Sequence, residues 1–579
     1  MNVRTHLRAG EAGGRIAAAV RAELLRQFPQ LDAFEADALA RVVRAAEDGH
    51  ACLELAALRM GRGGVDAETG ARMAASLLSS TLVSRAVVSA PDAAPAPFVQ
   101  EADRVYLRRL WHCESELAQH LRNRATGVET PDETRRASFE RVLEGATAAQ
   151  RLAAAHSRIS RLTVVAGGPG TGKTYTAARI VALHAALSGP ECRIAVAAPT
   201  GKAATRLRQA CADVLGEASA RLQAGTLHAL LRLRPDRAHA GHDPQRPLPL
   251  DLLVVDECSM IDLPLFAALL AAVPAHAHLV LIGDPVQLPA IGGGAVFADL
   301  ATLATTDRAA TMAQALACWG VEVASAPRAV HFGDAVVQLR LPVRFDARGE
   351  LPLALAAVRD GGDAGTVREA ISQAGIARLQ ALPDWRDEDV RAQLRAHWQA
   401  LSGAGTPDAA LEAVDRFRIL AGPRLGPGGV AAANRACADA LGIADAEAWY
   451  HGRPLLITAN DARLGLFNGD VGVVLAPPDA PPQAWFRGSD GRARACEPAG
   501  LPPHETAYAM TVHKAQGSEF EHAWLLLPEP DSPLLTREWL YTGLSRARTG
   551  LTVFGVDAAI DAAVGRRHVR WSGLADRLR

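Results

Sequence analysis

Leu162-Thr-Val-Val-Ala166-Gly167-Gly168-Pro169-Gly170-Thr171-Gly172-Lys173-Thr174 is the stretch on which the reading of this chain turns. Its apolar and β-branched start makes a short buried strand, the glycine-rich run breaks that strand, and a helical stretch follows. G-x-x-x-x-G-K-T between a strand and a helix is a phosphate-binding loop, because glycines let backbone N–H groups close around phosphate oxygens at a helix N-terminus. In such a loop Gly167, Gly168, Pro169, Gly170, Thr171 and Gly172 form the cradle. Lys173 reaches the β- and γ-phosphates and the Thr174 hydroxyl ligates Mg²⁺. The expected cofactors are ATP and Mg²⁺.

Downstream, Leu252-Leu-Val-Val-Asp256-Glu257 ends another buried strand in two acids. Asp256 is expected to hold Mg²⁺ through water, and Glu257 to polarise the attacking water. On its own such a pair is an ordinary solvated loop; the phosphate loop upstream is what makes it catalytic. Gln287, in Gly283-Asp-Pro-Val-Gln-Leu-Pro289, follows the fourth strand, close to a γ-phosphate if the sheet is ordered as in phosphate-loop ATPases. Gln150 precedes the first strand, where an amide can read adenine by a paired donor and acceptor. Alone, either glutamine reads as a plain loop or helix-surface amide.

Four short apolar runs, Leu162–Ala166, Arg193–Ala197, Leu252–Val255 and Leu279–Ile282, each end in a polar or glycine-rich turn, which indicates a parallel sheet covered on both faces. The N-terminal region is rich in Ala and Leu at helical spacing, and the polar stretch 126–134 reads as a linker. A Gly/Pro-rich stretch, 449–503, contains the strand-like pieces Pro454–Ile457 and Val471–Val474 and reads as a small β-barrel insertion. The expected organisation is a mainly helical domain over 1–130, an α/β phosphate-loop domain over 131–335, and a second α/β domain over 336–448 and 504–579, interrupted by the insertion at 449–503. The alanine-rich segment from Asp299 to Val336 matches no assignable role.

Composition sets the outer bounds. With 579 residues, 49% apolar and 22% charged, the chain is globular, and a prior of roughly 150 residues per domain suggests about four domains. Lys+Arg number 62 against 63 Asp+Glu, so a polyanion would be held by a locally sorted basic surface rather than by net charge. The eight cysteines show no C-x-x-C pair and no histidine at zinc spacing, and read as reduced core thiols of a cytosolic protein. The N-terminus lacks an apolar signal core, and Leu263–Gly283, with Pro264, Pro274, His276 and His278, fits a short helix and a strand better than a membrane span. A cytoplasmic location with no membrane role is expected.

Further motifs follow in order: Ala198-Pro199-Thr200-Gly201-Lys202-Ala203-Ala204, Thr226-Leu227-His228, Val343-Arg344-Phe345, Gly465-Leu-Phe-Asn-Gly-Asp470, Thr511-Val-His513-Lys514-Ala-Gln-Gly-Ser-Glu-Phe520 and Leu534 through Arg546-Ala-Arg548. Together with the nucleotide motifs, this series resembles the superfamily 1 helicases, and among them the RecD subunits of the RecBCD exodeoxyribonuclease V complex. The resemblance covers most of residues 145–579. It implies two RecA-like motor domains, an SH3-like barrel insertion, and an N-terminal region that docks on RecC.

The resemblance also implies roles for single residues. Arg344 and Arg546 match the arginines that the second motor domain brings to the γ-phosphate, where they stabilise charge on the transferred phosphoryl. Pro199, Thr200 and Lys202, Thr226 and His228, and Thr511, His513 and Lys514 match contacts to single-stranded DNA. Small hydroxyls, N–H groups and lysines hold phosphates without reading bases, so binding is expected to be sequence-tolerant and to weaken with salt. The implied activity is ATP-driven 5′ to 3′ movement from duplex ends, in a heterotrimer with RecB-like and RecC-like partners that acts in double-strand break repair and homologous recombination. In that family the nuclease belongs to the RecB partner, and outside the ATPase motifs no clustered Asp/Glu/Lys set builds a two-metal site here. A nucleotide switch without hydrolysis would not need Glu257, Gln287 and two arginine fingers.

The departures from the family pattern are mild: Val343 where an aromatic is usual, Ala515 for Ser and Ser545 for Thr. The loop between Leu230 and Leu250 carries Arg232, Arg234, Arg237, His239, His242 and Arg246, and fits a solvated loop at least as well as a DNA-facing one.

Overall fold

The computed structural model describes residues 9–62, 64–86, 96–125, 135–233, 241–340, 350–373, 377–380, 382–444, 448–461, 463–477, 479–488 and 491–579. The quoted strand, Leu162–Gly167, sits second in a six-stranded parallel sheet. Across the sheet the order is Val336–Leu339, Leu162–Gly167, His278–Gly283, Leu252–Val255, Ile194–Ala198, Gln223–Thr226. The strand leading to Gln287 thus lies between the phosphate-loop strand and the one that ends at Asp256.

The runs are continuously apolar because both faces are covered. Leu162, Val164, Ala195, Ala197, Leu253, Val255, Leu279 and Leu281 enter one core. Their alternates Val165, Ile194, Val196, Leu252, Val254, Val280 and Ile282 enter another. A strand's period of two divides each run between the two layers.

A second parallel sheet runs Ala377–Gln380, Ala547–Phe554, Phe520–Leu526, Phe417–Ala421, Ala509–Thr511. Between Phe417–Ala421 and Ala509–Thr511 the chain forms a five-stranded antiparallel sheet, with Leu455, Ile457, Leu466, Val474, Ala484 and Phe486 in its own core. Leu263–Gly283 is a helix, Leu263–Ala272, followed by a strand, as expected. Among the described residues no helix is long and apolar enough to cross a membrane.

Several expected boundaries move. Val336–Leu339 pairs with the phosphate-loop strand, so the boundary drawn at 335/336 falls one strand early; an apolar run reveals a strand but not the sheet it joins. His504–Thr506 pairs with Pro454–Ile457, which carries the insertion past 503. The N-terminal region holds helices and also a four-stranded sheet of short pieces, Leu53–Glu54, Val83–Arg85, Phe98–Glu101 and Arg104–Leu107. Its last helix, Arg108–Ala125, buries Leu110, Leu117 and Leu121 in the core of the first sheet. The 126–134 linker lies outside the described residues. Within Asp299–Val336, the helix Ala310–Cys318 packs Met312, Ala315 and Leu316 on the opposite face of that sheet, so this alanine-rich stretch builds core. Five cysteines are buried, but Cys113 and Cys192 are half-buried and Cys318 is exposed, so not all are core thiols.

The final segment leaves the second sheet altogether. Trp571 stacks on His50 at 4.0 Å between ring centroids, and Leu574 and Leu578 are buried in the first sheet's core. Glu114 receives the Tyr106 and Ser572 hydroxyls at 3.0 and 3.1 Å, the Gly573 N–H at 3.1 Å and Arg577 Nε at 3.2 Å. This strap ties the C-terminal end of the second α/β region to the N-terminal region.

Candidate nucleotide and DNA sites

Because the first sheet is parallel, its strands all end on one edge, where the phosphate loop, Asp256 and Gln287 emerge. A cavity of about 380 Å³ opens there. Gly168, Pro169, Gly170, Gly172, Lys173, Thr174, Asp256, Glu257 and Gln287 line it from the first sheet, and Arg546 from the second. Gly170 and Gly172 take φ of +74° and +83°, the left-handed region that glycine enters without penalty.

Lys173 Nζ donates to the carbonyls of Gly167 and Gly168 at 2.8 and 2.9 Å, which holds its charge inside the loop. The Thr174 hydroxyl lies 3.3 Å from Asp256 Oδ2, so the two oxygens predicted to serve a cation are adjacent. Glu257 sits at φ +54°, an uncommon conformation for a side-chain-bearing residue that costs on the order of 1 kcal/mol. Burial, and then the neighbouring Asp256 carboxylate, push its carboxyl above the usual range, as a group that takes up a proton requires. Its Oε2 and Gln287 Oε1 are buried and meet no hydrogen-bond partner among the described residues.

Arg546, 4% exposed, donates to the Ser518 and Thr542 carbonyls at 3.0 Å each and to the Ser545 hydroxyl at 2.8 Å. No ion pair to it occurs among the described residues. A buried guanidinium held only by neutral oxygens leaves its charge available to an anion in the cavity. Ser545, one of the departures noted above, thus orients this arginine as a threonine hydroxyl would. These donors, orphaned acceptors and adjacent oxygens fit a nucleoside triphosphate with a divalent cation.

The sequence of residues 150–293 matches an AAA domain, and 506–554 matches the UvrD-like helicase C-terminal domain. The RecBCD enzyme subunit RecD of Mycolicibacterium smegmatis is 40% identical over 504 residues, covering 82% of either chain. The chain belongs to the RecD family. It is a superfamily 1 DNA helicase and ATPase. The RecBCD enzyme subunit RecD of Haemophilus influenzae is 29% identical over 83% of this chain and 81% of its own. The ATP-dependent RecD2 DNA helicase of Deinococcus radiodurans is 32% identical over 72% of this chain and 50% of its own. Pif1 helicase from Bacteroides, in complex with ADP-AlF3 and single-stranded DNA, is similar at 18% identity and a TM-score of 0.36, over 69% of this chain and 90% of that one.

Arg344, the other predicted finger of this RecD-family chain, lies outside the described residues, as do Arg234, Arg237 and His239 of the basic loop. Gln150 does reach the cavity, but its amide is partly committed. Its Oε1 accepts the Thr147 N–H at 2.9 Å in a capping box, and its Nε2 lies 3.5 Å from the Thr171 carbonyl. The expected paired reading of adenine would require that cap to open.

The predicted DNA contacts share one construction. Thr226 and Thr511 end parallel strands and Thr200 lies two residues past one, and the hydroxyls of Thr200, Thr226 and Thr511 each accept an N–H from the following turn, at 3.3, 3.2 and 3.3 Å. Accepting that bond leaves each O–H free to donate to a phosphate. Gly517 brings the second lobe against Thr200: a Cβ there would lie 3.5 Å from the Thr200 hydroxyl. Pro199 is half-buried and His228 exposed beside them.

The lysines are less free than the sequence suggested. Lys202 faces Asp415 at 3.3 Å and Lys514 faces Glu505 at 2.6 Å, so a phosphate has to compete with a carboxylate at both. His513 is mostly enclosed, and burial and then the Arg570 charge push its pKa down, so it offers a neutral ring rather than a cation.

Other residues in and around the cleft escaped the sequence reading. Tyr175 and Arg206 line the cavity, the latter paired with Glu519 at 3.4 Å across the lobes. Tyr541 donates to Asp284 Oδ2 at 3.2 Å, and the same oxygen accepts from Gln287 Nε2 at 3.1 Å. Tyr175 follows the phosphate loop directly and was findable on that ground; the others depend on contacts between distant segments.

Proposed function

We propose that this chain is the 5′ to 3′ motor subunit of a RecBCD-type helicase–nuclease. It acts on single-stranded DNA at duplex ends with RecB-like and RecC-like subunits in a cytoplasmic heterotrimer that serves double-strand break repair and homologous recombination. It carries no nuclease site of its own. The observation that carries the motor reading is the convergence of Lys173, Thr174, Asp256, Glu257 and Gln287 with Arg546 of the second lobe on one cavity. The names and coverage of the RecD relatives support the partners.

Bound ATP–Mg²⁺ supplies the phosphoanhydride whose cleavage drives movement. Lys173 and the loop N–H groups bind and orient the phosphates, while Thr174 and Asp256 hold the cation. Glu257 accepts the proton of the attacking water at its carboxylate, and Gln287 orients that water by accepting from it at its free Oε1. Arg546, with Arg344, adds positive charge where negative charge builds. Because the arginine and the loop lie on different lobes, occupancy of the cavity draws the lobes together.

In this reading the threonine-capped turns hold the phosphate backbone, the 454–506 sheet is the SH3-like barrel that guides a strand, and the N-terminal region docks on the RecC-like partner. The test is strand separation by the purified chain on duplexes with a 5′ or a 3′ single-stranded tail. Lys173→Ala is expected to abolish ATP turnover without unfolding the chain. Unwinding from the 5′ tail alone supports the proposal. Unwinding from the 3′ tail alone, or turnover retained by Lys173→Ala, refutes it.

A further inference from the structure

The motif Gly465-Leu-Phe467-Asn-Gly-Asp470 plays no part in nucleotide chemistry, yet the fold holds it firmly. It forms the tip of the loop between the strands Pro454–Ile457 and Val471–Leu475 of the insertion. The Phe467 N–H donates to Asp470 Oδ2 at 2.7 Å, and the Asp470 N–H returns to the Phe467 carbonyl at 3.0 Å. The Asn468 N–H donates to Asn460 Oδ1 at 2.8 Å and the Gly469 N–H to the Ile457 carbonyl at 2.9 Å. Gly469, at φ +97°, occupies a conformation that explains the Asn-Gly pair.

Leu466 points into the insertion's own core, whereas Phe467 is not part of that core and remains half-exposed. Its ring crosses to the first lobe. A Cβ built on Gly201 would lie 3.1 Å from Phe467 Cδ2 and 3.5 Å from its Cγ. Gly201 opens the helix Gly201–Leu215 outside the left-handed region, so a side chain there would meet this ring rather than a backbone penalty. The neighbours on either side are the Thr200 hydroxyl and Lys202, the phosphate-holding groups of the proposed DNA path.

We infer that Phe467 is a base-stacking contact for single-stranded DNA, set by the insertion over the turn 200–202. This rests on the reading of that turn as a phosphate contact. A sequence-tolerant single-strand site needs backbone donors and an aromatic face within one nucleotide's reach, and here the two come from different lobes of the chain. A base stacked on the exposed side of this ring, with its phosphate on the turn, would make the insertion part of the track, so that its position follows the strand.

The test uses the full-length chain and an oligothymidylate strand carrying one 2-aminopurine, with affinity read by anisotropy and stacking by 2-aminopurine quenching. Phe467→Ala is expected to weaken binding on the order of tenfold and to lose quenching, and Phe467→Trp to restore both. Wild-type affinity and quenching in Phe467→Ala overturn the inference. So does equal loss in both variants with unchanged thermal unfolding, which would make the ring a packing plug between the lobes. If Phe467→Ala does not fold, Phe467→Trp decides. Extra tryptophan emission over wild type that is quenched by the strand supports stacking, and unquenched emission overturns it. Failure of the wild-type chain to bind the strand at all would instead refute the underlying reading of the DNA path.

Discussion

Tyr541→Phe is expected to loosen closure of the two lobes while leaving every group predicted to touch phosphate in place. Asp284 is fully buried: its Oδ1 accepts the Val286 N–H at 3.1 Å, and its Oδ2 accepts both Gln287 Nε2 and the Tyr541 hydroxyl. Burial, and then that carboxylate, push the Tyr541 hydroxyl well above the usual range, so it stays a donor. The hydroxyl also abuts the phosphate loop, 3.0 Å from where a Gly168 Cβ would be. A hydrogen bond to a buried charge contributes about 1.5–3 kcal/mol. Other polar bonds between the lobes survive the substitution, among them Leu288 N–H to Thr542 Oγ1 and Gln516 Nε2 to the Leu288 carbonyl, both at 2.9 Å, and the Arg206–Glu519 pair. The lower end of the range therefore applies, and the closed state should fall by roughly tenfold. The assay is steady-state ATP hydrolysis at saturating single-stranded DNA, with kcat/KM expected to drop by about that factor. A double-mutant cycle with Asp284→Asn should give a coupling of at least about 1 kcal/mol. Wild-type kcat/KM in Tyr541→Phe, or an additive cycle, would refute the reasoning.

Two predictions concern the C-terminal strap. Glu114→Ala leaves the Tyr106 hydroxyl and the Gly573 N–H without their acceptor, while Arg577 keeps its pair with Glu101, and should weaken strap docking by about 1–3 kcal/mol, read as lost amide protection over 571–579; unchanged protection would count against the clasp. Burial, with the nearby Glu114 carboxylate adding to it, pushes the Asp299 carboxyl up to about 7, against roughly 3.9 in an unfolded chain. The folded chain thus keeps a proton that the unfolded chain loses. Its stabilising share is full below about pH 4 and is lost as pH rises through about 7, amounting to at most about 4 kcal/mol. Asp299→Asn, which cannot titrate, should flatten the stability profile between about pH 4 and 7, and parallel unfolding profiles for the two proteins would contradict the assignment.

What the sequence could reveal here follows from the range of the forces involved. The phosphate loop, the acids of Asp256 and Glu257 and the parallel strands were legible because each is dictated within one strand and its turn: a buried run, a glycine at positive φ, a polar group at the strand end. Which sheet a run joins was not legible. Val336–Leu339 and His504–Thr506 look locally like the elements beside them, and were placed one element off until long-range pairing decided. The strap escaped for the same reason, since Trp571 and Leu574 form no periodic stripe in so short a segment and their partners, His50 and the Arg108–Ala125 helix, lie more than four hundred residues earlier.

The lysines carry the point further, because a motif fixes the identity of a residue but not its competitor. Lys202 and Lys514 stand in motifs from which DNA contact is expected, yet both face carboxylates, of Asp415 and Glu505, supplied by other segments. Glu505 also draws Arg424 to 3.2 Å. Along the proposed DNA path a phosphate would have to displace these acids, so each ion pair is a term that strand binding would have to overcome and that would close again when the strand leaves. The pairs are half-exposed and individually weak, and salt screens them along with the DNA contacts they oppose. Such an arrangement favours contacts that are made and released repeatedly over one tight grip, which is what a motor that must let go of each phosphate in turn requires.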